Sequence, residues 1–90
     1  MNTHDFAHVE SAPLRAYLTG QPGGMTAAEA LDYSMDCLEA DLRAEETGMG
    51  IAIHPKAMKI RESAFEDARE AFRESDLDAT RDLLRTMWSH

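Results

Sequence analysis

Glu29, Asp32, Asp36 and Glu39 stand three, four and three residues apart. On a helix that spacing gathers four carboxylates into one ridge, because residues three and four apart share a face. Such a ridge attracts a cationic surface. It is the candidate partner-binding site, either for a protein with a basic surface or for one that normally holds a phosphate backbone. The same spacing also suits a solvated face that keeps a protein soluble.

Other residues of chemical interest are more scattered. His4 and His8 have the i,i+4 spacing with which one helical turn grips a metal, but no third ligand lies near them in the chain, so no metal site is expected. Cys37 lies between Asp36 and Glu39, where negative charge disfavours the thiolate, and it reads as a packed cysteine rather than a nucleophile. Gly48-x-Gly50 lacks the preceding strand and directly following helix of a phosphate loop. Its glycines are better suited to ending one helix and turning toward the next, although Lys56 stands ready at the start of that next helix. No cofactor is expected. Arg61 falls inside an apolar arc, between Ala68 and Phe72 in helical phase, and a buried arginine needs a partner. A carboxylate from the N-terminal half is the expected one. Trp88, two residues from the end of the sequence, is expected to close the core.

The elements that position these residues are helices. Ser11 is a good N-cap, Pro13 is tolerated in the first turn, and Gly20 ends a short helix over about 12–19 whose apolar residues are Leu14, Tyr17 and Leu18. After the Gln21-Pro22-Gly23-Gly24 loop, Thr26 and Glu29 form a capping box that opens a long helix over about 26–46, stopped by Gly48. Its main stripe is Ala28, Leu31, Met35, Leu38 and Leu42. A loop follows, with a very short extended piece at Ile51–Ile53. Pro55 then opens a third helix over about 55–73 with Ala57, Met58, Ile60, Ala64, Phe65, Ala68, Ala71 and Phe72 on its apolar arc. Ser75, with Asp78 three residues on, is the expected cap of a last helix over about 76–88. Leu77, Thr80, Leu84, Met87 and Trp88 line its inner face. The connection is so short that the third and fourth helices must form an antiparallel hairpin. Residues 68–84 resemble the helix-turn-helix of a tetratricopeptide unit. The resemblance covers one unit where an array needs about three, and it carries no function here. The fold class is all-α: a small bundle of three main helices plus a short N-terminal helix, in one domain, with residues 1–10 expected to be loose.

The long helix carries a second, shallower stripe of Ala30, Tyr33, Cys37, Ala40 and Ala44, which allows another backbone to approach. These residues are the predicted interface of a homodimer, since one patch can meet itself across a two-fold axis.

Seventeen acids oppose nine bases, a net charge of −8, which argues against direct contact with nucleic acid or an anionic membrane. The charge is polarised: residues 1–50 hold nine acids and two bases, residues 51–90 eight acids and seven bases. No apolar run approaches the roughly 20 residues that span a bilayer. The start of the chain lacks the basic and apolar regions of a signal peptide, and a single cysteine forms no internal disulfide, so the expected compartment is the cytoplasm. Seven arginines against two lysines point to a GC-rich bacterial or phage source. The expectation is a small, non-catalytic interaction or regulatory protein. The alternative expectation is a phage- or plasmid-type inhibitor that imitates nucleic-acid charge, as anti-restriction and anti-CRISPR proteins do, and blocks a nucleic-acid-binding protein.

Overall fold

The computed structural model describes residues 6–48 and 55–90 and has the expected all-α architecture. Its helices are α1 (Ala12–Thr19), α2 (Ala27–Thr47), α3 (Pro55–Arg73) and α4 (Leu77–Trp88). The local signals account for most of the boundaries. Ser11 Oγ accepts the Leu14 amide at 3.3 Å. At the other end of α1 the chain turns left-handed at Gly20 (φ 74°), and the Gln21 amide reaches back to the Ala16 carbonyl at 2.8 Å. The capping box of α2 is complete: the Glu29 amide donates to Thr26 Oγ1 at 3.2 Å, and the Thr26 amide to Glu29 Oε1 at 2.9 Å. Gly48 caps its C-terminus. The predicted extended piece at Ile51–Ile53 lies outside the described residues.

The turn between α3 and α4 differs from expectation by one residue. Ser75 is not the cap of α4. It adopts a left-handed conformation (φ 63°) and closes α3, with its amide on the Phe72 carbonyl at 3.0 Å and the Asp76 amide on the Ala71 carbonyl at 2.9 Å. That geometry hands the cap of α4 to Asp76, whose Oδ1 accepts the Ala79 amide at 3.1 Å. A short polar turn offers two capping side chains in a row, and the way the preceding helix ends decides which is used.

α3 and α4 pack along their length as an antiparallel hairpin. α2 lies against both, and α1 rests on α4 and α2. The core between them is built from Leu14, Leu18, Ala30, Leu31, Leu38, Met58, Phe65, Ala68, Leu84 and Met87. Full burial of a leucine such as Leu84 contributes about 1.5–3 kcal/mol. Several residues assigned to apolar faces sit at the rims of those faces instead. Ala28 is exposed, as are Ile60 (38%), Phe72 (37%) and Leu77 (55%). A small bundle covers each helix over only part of its circumference.

The N-terminal segment expected to be loose is packed from residue 6 onward. Phe6 and Val9 are buried in the main core, the Val9 amide bonds the Phe6 carbonyl at 2.9 Å, and the Arg15 guanidinium donates to the Val9 carbonyl. A His8 ring nitrogen meets the Trp88 carbonyl at 2.8 Å, which ties this segment to the end of α4. Two apolar residues in so short a stretch leave no periodicity to read. Among the described residues no helix is long and apolar enough to cross a membrane.

Candidate functional site

α2 contains seven acids and one base, and its polar side faces solvent. Glu29, Asp32, Asp36 and Glu39 are all exposed. Glu29 is partly engaged, holding the Thr26 amide. Asp32, Asp36 and Glu39 take part in none of the salt bridges among the described residues.

Six of the seven arginines hold partners other than the ridge carboxylates; Arg43, four residues after Glu39 on α2, is exposed and takes part in none of the salt bridges among the described residues. Arg81 donates to the Tyr17 carbonyl at 2.9 Å and Arg85 to the Leu18 carbonyl at 2.5 Å, so both bind α4 to α1. Arg69 and Arg73 pair with Glu66 and Glu70 three residues before them on α3. Arg61 pairs with Asp41 of α2 at 2.6 Å, the kind of partner its place in the apolar arc required. Arg61 also lies 5.9 Å from the centre of the Trp88 ring, and its Nε is buried without a hydrogen-bond partner.

Beside the ridge runs an open groove of about 260 Å³ between α2 and α3. Its floor is apolar, from Leu31, Met35, Phe65 and Phe72. Asp32 of the ridge stands on one wall, Arg69 and Arg73 on the other. The spacing of residues within one helix revealed the ridge. The groove went unread because it depends on how far two helices diverge, which no single helix encodes.

The small-residue stripe predicted as a dimer seam is largely engaged within the chain. Ala30 is completely buried in the chain's own core, which corrects its assignment to an open interface. Tyr33 packs against Trp88 with ring centres 6.2 Å apart, and Trp88 Nε1 donates to Ser34 Oγ at 2.9 Å. The last turn of α4 thus covers this side of α2, and Trp88 packs against the core as expected. Cys37 and Ala44 are half-buried, and of the five only Ala40 is exposed. Burial, and then the Asp41 carboxylate, push the Cys37 thiol above its ordinary range, which keeps it protonated.

His4, Asp5, His54 and Gly50, singled out as possible metal or phosphate contacts, lie outside the described residues. Among the described residues no three metal-ligating side chains come together. Set against known proteins, the chain matches no family model, no curated protein and no solved structure.

Proposed function

We propose that this is a non-catalytic protein-binding protein. Its working surface is the outer face of α2 together with the adjoining α2–α3 groove. The occupant is a segment of another protein that presents an apolar side chain flanked by lysine or arginine. One observation carries the reading: Asp32 belongs both to the acidic ridge and to the wall of an apolar groove floored by Leu31, Met35, Phe65 and Phe72. Apolar contact supplies affinity at such a site, and the carboxylates supply orientation and rate of encounter.

The test compares the wild-type chain with two variants as bait in host-cell extract. One carries Glu29→Gln, Asp32→Asn, Asp36→Asn and Glu39→Gln. The other carries Met35→Glu in the groove. The expected result is a protein held by the wild type, released by salt, and absent from both variants. A protein held equally by all three overturns the proposal. If the captured protein binds nucleic acid, competition by DNA or RNA identifies the protein as a charge mimic.

A further inference from the structure

On the other side of α3 from that groove, α3 and α4 form a second concave surface lined by Lys59, Ile60, Ser63, Asp67, Leu83 and Thr86. At about 100° per residue, Ser63 and Ile60 point roughly opposite to Arg69 and Phe72, so this surface faces away from the acidic face of α2. It is apolar where the two helices meet: Ile60 is 38% exposed and Leu83 half-buried. At its centre stand two small residues, Ser63 and Ala64.

Its charges are ordered about that centre. Lys59 lies four residues before Ser63 and Asp67 four residues after it. Both are exposed, and neither takes part in a salt bridge among the described residues. Lys56 and Glu70 extend the same order, seven residues on either side of Ser63. Lysine toward the start of a helix and acid toward its end is the reverse of what the helix dipole favours. The helix dipole therefore gives no reason for the order of Lys59 and Asp67.

A two-fold axis does. Two copies of α3 laid antiparallel about Ser63 set Lys59 of each copy against Asp67 of the other, with Ile60 and Leu83 apolar alongside and only small side chains where the backbones cross. Overall charge permits this approach better than any through α2. Residues 51–90 hold eight acids and seven bases, whereas residues 1–50 hold nine and two. We infer that a second copy of this chain docks on the α3–α4 surface, α3 against α3, through reciprocal Lys59–Asp67 contacts. The dimer leaves both acidic α2 faces pointing outward, and it stands independently of what those faces bind.

Reciprocity makes the test specific. Sedimentation equilibrium at high micromolar concentration is expected to give twice the chain mass for the wild type. Lys59→Glu alone, or Asp67→Lys alone, places like charges opposite each other twice and weakens association by about tenfold or more. An equimolar mixture of the two variants restores association, because each then presents the charge the other lacks. Circular dichroism checks that both variants keep their helix content; should either fail to fold, Lys59→Gln and Asp67→Asn replace them, each expected to weaken association. A wild-type chain that stays monomeric overturns the inference. So does a dimer indifferent to the substitutions, or a mixture of folded variants that fails to associate.

Discussion

The Arg61 guanidinium of α3 and the Asp41 carboxylate of α2 meet at 2.6 Å in unequal surroundings: the arginine side chain is 8% exposed and the aspartate 34%. The inequality sets the cost of losing each partner. Asp41→Ala strands a buried cation whose Nε already lacks an acceptor, and is expected to cost about 3 kcal/mol. Arg61→Met removes the buried charge, keeps most of the packing and lets Asp41 take up water, and is expected to change stability by about 1 kcal/mol or less. Urea unfolding of the two variants measures the order. Equal losses would contradict this reading of the pair.

Ser75 and Asp76 give a prediction whose sign depends on which of them caps α4. Ser75 is left-handed at φ 63°, a conformation that costs a residue with a Cβ about 1–2 kcal/mol. Ser75→Gly is therefore expected to stabilise the protein by about 0.5–1 kcal/mol after allowance for the freer unfolded chain. Asp76→Ala removes the acceptor of the Ala79 amide and is expected to cost about 1 kcal/mol. Were Ser75 the cap, glycine there would destabilise. Thermal melts of both variants decide it.

Gly24 is needed for room. A Cβ built on it would lie 2.5 Å from the Tyr17 amide nitrogen, against the backbone of α1. The loop is held close there by the Met25 amide, which bonds the Pro13 carbonyl at 3.1 Å. Gly24→Ala is expected to cost about 1–3 kcal/mol, as forced overpacking does. A melting temperature unchanged from wild type would mean that the loop does not rest on α1.

The helices were legible in the sequence because each carries two local codes: a three-and-four apolar period, and a cap that is also a nearest-neighbour property. The exposure of Glu29, Asp32, Asp36 and Glu39 follows from the same period: Glu29 and Asp36 lie roughly opposite Leu31 and Leu38, and Asp32 and Glu39 lie about a quarter-turn from them, at the border of the apolar stripe. Arg61 was legible because its phase put it among apolar residues, which forced a carboxylate partner without saying which. What stayed hidden depends on contacts between segments distant in sequence. Phe6 and Val9 are buried in a core built by segments far along the chain, and nothing local to residues 6–10 encodes that burial. Tyr33 was placed on an open stripe because the reach of Trp88 across α2 is a property of α4. The α2–α3 groove depends on an angle between helices, and Ile60, Phe72 and Leu77 fall outside the core for the same reason.

Cys37 is expected to be a slow thiol. Burial and the Asp41 carboxylate raise its pKa in the folded chain, so at mildly alkaline pH it should react with a disulfide reagent more slowly than the same cysteine in urea. The sign for stability follows. A group whose pKa is raised on folding contributes stability that is fully present below its unfolded value and is lost as pH rises through the folded one. Tyr17 acts in the same direction, its hydroxyl raised by burial. Stability should fall through the alkaline range, and Cys37→Ser should blunt the first part of that fall. A Cys37 that labels as fast folded as unfolded would contradict its burial.

The central claim is that the acidic face of α2 and the α2–α3 groove together form a protein-binding surface. Amide chemical-shift mapping with a synthetic helical peptide of leucines flanked by lysines tests it most directly. The predicted result is perturbation concentrated on Glu29 to Glu39 and Phe65 to Arg73. Affinity should weaken as salt rises and fall sharply in the variant with all four ridge carboxylates replaced by amides. Perturbation centred on α1 and α4, or equal affinity for the wild type and the amide variant, would contradict it.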